Sequence, residues 1–287
     1  MTRLAALAAI GLALASAGRA AEEGAPPAES GRGFPFAAEA DRDGSRFVWF
    51  LLDRAGIPHE YLPASEFLAS PRWEPVPRHR RRPGDLAWWK GLVALYRGER
   101  PGGEVGTAAG RRRLEDLETE RGPARFLRLL PLPPLRPAPR SLVVSGRTVR
   151  WANPDPGAWT EGEPRRGDSP AAALVSLRRR PVREPGGGEA LPVIHLGATE
   201  GGRDSPPPIP LPLPPDARVL EAEATPGGTR RLVAYGGKFP AFRTLSLSRA
   251  AEGLLLVAAC TATETTWRVV ERECQAFLAS LAVEPPR

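Results

Sequence analysis

Apolar positions recur along this chain in two rhythms. Between Asp43 and Arg54, residues Phe47, Val48, Leu51 and Leu52 fall on one face at helical spacing, and Gly56 and Pro58 end the pattern. Asp43 is placed to cap the first turn. Residues 58–84 hold no period and predict a loop or short turn. "DLAWWKGLVALYRG" then carries two strand-length apolar runs joined by Lys90-Gly91, a hairpin signal. "RRRLEDLETERG" predicts a short charged helix and "PARFLRLL" a strand. Further on, "SLVVSGRTVRWAN" predicts a hairpin turning at Ser145-Gly146, and "AAALVSLRR" and "LPVIHLGA" predict strands. "RVLEAEATPGGTRRLVAY" turns at Pro226-Gly227-Gly228, and "FRTLSLSR" with "GLLLVAACTAT" forms another strand pair. Trp267, Val270, Cys274, Phe277, Leu278 and Leu281 return to helical spacing, with Thr263 or Thr265 placed as a cap. Few helices among many antiparallel runs predict an α+β chain, its second half a sheet closed by a C-terminal helix.

Composition divides that pattern into domains. The chain has 287 residues and 34 prolines, enough for a sizeable core with long loops. "PLPPLRPAPR", residues 131–140, reads as a stiff linker between a first domain at 34–130 and a second at 141–287. Residues 1–20 have the Arg3 n-region, the short apolar run and the small-residue site of a secretory signal. Residues 21–33 are polar and small, and are expected to be disordered. The expectation is an exported protein, periplasmic or extracellular, with no transmembrane anchor.

Charge and cysteine count add two constraints. The net charge is +7; loss of Arg3 and Arg19 with the signal leaves +5, nearly all of it arginine. Such a chain is attracted to anionic envelope polymers, but no basic-aromatic array of the kind that binds nucleic acid is present. Cys260 and Cys274 are the two cysteines, and in an oxidising compartment they predict a disulfide. Their spacing is not that of a metal or redox motif, and His59, His79 and His195 are scattered, so no metal or cofactor is expected.

Two segments of the first domain carry a family likeness. "DGSRFVWFLLDRAGIP" resembles the Asp-Cys-Ser-x-x-Val helix of the NlpC family of papain-like cell-wall peptidases. "PGDLAWWKGLVALYRG" resembles that family's second signature, with Pro83, Gly84, Asp85, Leu86, Gly91, Val93, Tyr96 and Gly98 in register. The resemblance covers about residues 34–130. It implies a papain-like α+β fold in which a cysteine at a helix N-terminus and a histidine on a strand cleave stem peptides of peptidoglycan. A helix N-terminus stabilises thiolate, and the imidazole carries the proton.

Here Gly44 stands at the cysteine position and Leu92 at the histidine position. Neither can do the chemistry. The resemblance therefore implies a pseudoenzyme that binds peptidoglycan or a murein-processing enzyme through a residual cleft of Asp43, Ser45, Trp88, Trp89 and Tyr96. The rival readings are an active murein peptidase using another nucleophile, such as Ser45 served by His79, and a purely structural envelope protein. In the second domain, the strands followed by "TTWRVVERECQAFLASL" resemble the end of PsbP-like α/β sandwiches, which implies an accessory domain without a catalytic cluster.

Overall fold

A computed structural model of the protein describes residues 40–98, 103–162, 173–201, 214–236 and 241–285. The signal sequence and disordered segment expected at 1–33 lie outside the described residues. The chain is α+β and divides into two compact units between Pro133 and Pro134, with Pro185–Gly187 grouped with the first. That point falls inside the predicted linker, but its last residues, from Ala138, are already strand.

In the first unit the helical stripe forms α1 (Ser45–Arg54), which buries Val48, Trp49, Leu51 and Leu52. Six strands follow: β1 (Trp73–Val76), β2 (Leu86–Trp89), β3 (Leu92–Gly98), β4 (Glu104–Thr107), β5 (Gly110–Arg113) and β6 (Arg125–Leu129). The helix α2 (Leu114–Arg121) stands between β5 and β6. The sheet order is β1-β6-β2-β3-β4-β5, with every pair antiparallel. The predicted hairpin is β2–β3, turning at Gly91, whose φ of 79° suits glycine.

Strand alternation sends side chains to two cores. Leu86, Val93, Leu95, Leu127 and Leu129 pack with α1 and with Phe67 of a 3-10 turn at Ala64–Ala69. Ala87, Trp89, Leu92, Ala94, Tyr96 and Phe126 pack with Leu114 and Leu117 of α2. The sheet is thus the middle of three layers. β1 lies where the sequence pattern predicts loop, β5 overlaps the predicted start of the charged helix, and β4 lies where no element is predicted. β1 is an edge strand containing Pro75, which removes a donor and hides the strand signal. β4 and β5 have Gly106, Gly110 and a run of arginines where apolar alternation would be sought.

The second unit contains β7 (Ala138–Val144), β8 (Arg147–Asn153), β9 (Trp159–Gly162), β10 (Ala173–Arg179), β11 (Val182–Arg183), β12 (Glu189–Ala190) and β13 (Val193–Glu200). It continues with β14 (Arg218–Thr225), β15 (Gly228–Tyr235), β16 (Phe242–Ala251), β17 (Leu254–Thr263), α3 (Trp267–Ser280) and β18 (Ala282–Glu284). Seven strands form one antiparallel sheet in the order β14-β15-β16-β17-β13-β10-β9. A second sheet, β18-β8-β7, is completed when the chain leaves α3 and returns to β8.

α3 buries Trp267, Val270, Cys274, Phe277 and Leu278 in a core shared with Ile194, Leu196, Leu245, Leu247 and Leu256. The Cys260–Cys274 disulfide ties β17 to α3, with α-carbons 5.8 Å apart. The cap differs from expectation. Thr266 is the N-cap residue, while the hydroxyls of Thr263 and Thr265 donate to Glu184 at 2.6 and 2.8 Å. Glu273, a buried acid of α3, accepts hydrogen bonds from Trp159 Nε1 at 2.6 Å and Arg179 Nε at 3.1 Å. A buried carboxylate needs such partners to offset its desolvation. Among the described residues no helix is long and apolar enough to cross a membrane.

Candidate functional site at the N-terminus of the first helix

The site begins with how α1 starts. Gly44 is its N-cap residue and sits in the left-handed region at φ 73°. A helix N-terminus leaves backbone N–H groups without intrahelical acceptors. Asp41, three residues before the cap, accepts from the N–H groups of Arg46 and Phe47, both at 2.9 Å. Asp43 accepts from Ser45 N at 3.0 Å with Oδ1 and from Ala64 N at 3.0 Å with Oδ2. The capping expected of Asp43 alone is therefore divided between two carboxylates. Asp41 holds the second and third helical N–H groups, and the left-handed Gly44 makes the turn between it and the helix.

Both carboxylates use the positive end of the helix dipole. Burial pushes the Asp41 carboxyl above its ordinary value, and the nearby Asp43 charge adds to this; the hydrogen bonds from Arg46 and Phe47 oppose it. The electrostatic position that would favour a thiolate or an oxyanion is already filled by the chain's own acids.

Gly44 also lies against β3. The N–H of Val93 donates to the carbonyl of Asp43 at 2.8 Å. A Cβ added at Gly44 would stand 2.0 Å from the Val93 carbonyl oxygen. Glycine here is a packing requirement, since only its missing side chain lets the helix start touch the strand backbone. A cysteine does not fit in this arrangement.

Leu92 does not face Gly44. It pairs with Trp89 across the hairpin, and both side chains belong to the core on the α2 side. Val93, the next residue, points toward α1. The start of α1 and the start of β3 are neighbours through the backbone, while the side chain of residue 92 leaves on the opposite sheet face.

The predicted cleft residues separate in the same way. Asp43, Ser45 and Trp88 lie on the α1 side and are joined through Ala64: Asp43 accepts from its N–H, and Trp88 Nε1 donates to its carbonyl at 2.6 Å. Trp89 and Tyr96 lie on the α2 side, where Trp89 Nε1 donates to the Gly122 carbonyl and Tyr96 meets Phe126 edge-on. The five residues therefore do not line one cleft. Alternation along β2 and β3 imposes this split.

Ser45 is fully buried, and its hydroxyl is engaged by Asp43 Oδ1 at 2.5 Å and the Tyr61 hydroxyl at 2.9 Å. His79 is exposed in the 3-10 turn Arg78–Arg80 and is not a partner of Ser45. No activated Ser–His pair is formed.

Two further polar arrangements support the first unit. Asp85, buried at 3% exposure, is held by Arg128 through Nε at 2.8 Å and Nη2 at 2.7 Å, and by Arg82 N at 2.8 Å. Asp85 thus accepts from the Arg82 N–H of the turn before β2 and pairs with Arg128, which staples that turn to β6. His59 is buried beside Phe67 and accepts from Trp73 Nε1 at 2.8 Å. Burial, with the positive Arg72 nearby, pushes its pKa down to about 3, so the ring is neutral. Asp41, Tyr61, Ala64 and Arg128 carry no motif, and sequence spacing offers no signal for them. Among the described residues no group of three or more His, Cys, Asp or Glu side chains could hold a metal ion. Neither a protein-family model nor a curated protein matches the chain.

Proposed function

We propose that this chain is an exported, non-catalytic envelope protein whose first unit has the frame of an NlpC-like peptidase and uses it to bind peptidoglycan. The observation that carries this reading is the closure at Gly44. The N-terminus of α1 is capped by Asp41 and Asp43 and seated on Val93, which leaves no place for a nucleophile or for an oxyanion. The resemblance in "DGSRFV" and "PGDLAWW" supplies the ligand class, and its loss at Gly44 and Leu92 removes the reaction.

The binding surface is the half-buried rim beside that closure: Tyr61, Asp43 and Trp88, with Arg125 over the Trp88 ring. An aromatic pair next to a carboxylate and a guanidinium suits a glycan strand bearing charged peptides. For the second unit, an antiparallel sheet with one helix packed on it supports an accessory role.

Co-sedimentation with purified sacculi, run beside a turnover assay on muropeptides, tests both halves. The expected result is retention without hydrolysis, with retention reduced in Tyr61→Ala. Absence of retention refutes the binding half. Hydrolysis that Ser45→Ala abolishes refutes the non-catalytic half.

A further inference from the structure

Alternation along the strands gives the seven-stranded sheet of the second unit two unlike faces. Leu232, Leu245, Cys260, Ile194 and Leu177 pair in one row across five strands, and all belong to the core with α3. The rows on either side of it point the other way. One is Val233, Thr244, Thr261, Val193 and Arg178; the other is Arg231, Ser246, Ala259, His195 and Ser176. Hydroxyls and short side chains fill the middle of this second face.

Charge is sorted in the same way. Among the described residues of the seven strands, the acids are Glu161, Glu200, Glu221 and Glu223. The first three stand opposite the core residues Leu177, Leu254 and Leu232. Glu223 stands opposite Arg230, itself opposite Leu247 of the same core. All four acids therefore lie on the α3 face. The other face has Arg178, Arg231 and the imidazole of His195. Glu184 reaches its edge, where the Thr263 and Thr265 hydroxyls hold the carboxylate. A face sorted in this way attracts anions.

We propose that this face of the second unit binds an anionic glycan, with Arg231 taking a carboxylate and the threonine hydroxyls taking the sugar hydroxyls. This inference is independent of the reading of the first unit. Ser246 and Ala259 are short and buried, and they lie between the longer Arg231 and His195. The result is a shallow trough across four strands, about 14 Å wide at the backbone. Arg231 is half-buried and makes no hydrogen bond or ion pair among the described residues. Its planar donors are therefore open to a carboxylate, which they can take bidentately.

The hydroxyls and one aromatic pair select a sugar over other anions. Tyr235, Thr244 and Thr261 are half-buried, and their hydroxyls are joined in a chain at 3.2 and 2.8 Å. A hydroxyl donates once and accepts twice, so each keeps capacity beyond these bonds. Ser248 follows Ser246 on the same face of β16; it is 4% exposed, and its hydroxyl has no partner among the described residues. The column thus has a donor that the fold itself does not use. The Tyr235 ring stacks on Phe242 at 5.7 Å, an apolar step beside the hydroxyl chain that suits the C–H face of a sugar ring. A simple polyanion would use Arg231 and leave the aromatic step without a role.

The test uses the full chain and three probes: oligogalacturonate, a neutral gluco-oligosaccharide and oligoglutamate. Calorimetric titration is expected to show oligogalacturonate binding. The other two should bind at least about tenfold more weakly, since one lacks the charge and the other the sugar. Arg231→Gln should weaken oligogalacturonate binding about tenfold, the effect of losing a charge-assisted hydrogen bond. Arg230→Gln, one residue away on the α3 face, should leave it unchanged. Thr244→Val removes a hydroxyl from the chain and should weaken it about fivefold. Circular dichroism reports whether each variant folds, and Thr244→Val carries the test if Arg231→Gln does not. A Kd for oligogalacturonate weaker than about 1 mM overturns the proposal. So does a folded Arg231→Gln that loses no more than Arg230→Gln, or oligoglutamate binding as tight as oligogalacturonate.

Discussion

Replacing Gly44 by alanine should destabilise the first unit far more than replacing a glycine in an open turn. Residue 44 holds φ 73°, a conformation that costs an L side chain about 1–2 kcal/mol. The new Cβ would also stand 2.0 Å from the Val93 carbonyl oxygen, where ordinary contact begins at 3.4 Å. Relieving that overlap moves β3 away from α1 by more than about 1 Å. The shift strains or breaks the Val93 N–H to Asp43 carbonyl bond, about 0.5–1.5 kcal/mol, and disturbs close packing at a cost of about 1–3 kcal/mol. The sum is about 3–6 kcal/mol.

Gly91→Ala is the control. It has φ 79° and nothing within 4 Å of the added Cβ, so it should lose only the conformational term, about 1–2 kcal/mol. Urea unfolding of both variants, with hydrogen exchange at the Val93 amide, reads the difference. Equal destabilisation of the two variants, with Val93 protection unchanged in Gly44→Ala, would refute the claim that the helix start is closed on the strand. The same geometry predicts that Gly44→Cys with Leu92→His will not restore hydrolysis, since the imidazole would enter the α2-side core.

Three other outcomes can be measured. His59 has a folded pKa of about 3 against an ordinary 6.5, so the unfolded state binds the extra proton between those values; its contribution is complete above about pH 6.5 and declines as pH falls toward 3, with about 2 kcal/mol lost by pH 5. Chemical denaturation across pH 4–7 checks this, and no difference in pH dependence between the parent and His59→Gln would contradict it. Arg128→Met leaves the Asp85 carboxylate buried and without its ion pair and should cost about 3–5 kcal/mol; Asp85→Asn in the same chain should recover part of that loss in a thermodynamic cycle. Reducing the Cys260–Cys274 bond should lower stability by about 3 kcal/mol, and mass spectrometry after alkylation without reductant should find no free thiols in protein purified without reductant.

Local chemistry made much of the architecture readable before any coordinates. The period of Val48, Leu51 and Leu52 specifies α1, and the period of Trp267, Val270, Cys274 and Phe277 specifies α3, because one apolar stripe must be buried. The Lys90-Gly91, Ser145-Gly146 and Pro226-Gly227 turns mark three hairpins, because each has a glycine at positive φ. The cysteine pair was legible from its even count together with the oxidising compartment that the N-terminal segment leads one to expect. β1, β4 and β5 were not, because proline, glycine and arginine mask strands that exist only when neighbours supply their hydrogen bonds.

The site shows the same division more sharply. Sequence placed Gly44 at a helix start and Leu92 at a strand start, and only the NlpC-like resemblance gives those two positions a chemical meaning. Only the tertiary structure decided that Gly44 rests on the Val93 carbonyl, that Asp41 reaches over Asp43 to cap the helix, and that Leu92 and Tyr96 leave on the face away from α1. The Gly44–Val93 contact depends on the distance between a helix and a strand that are nearly fifty residues apart along the chain. Local propensity says nothing about such a distance; it is set when both cores of the sheet close together.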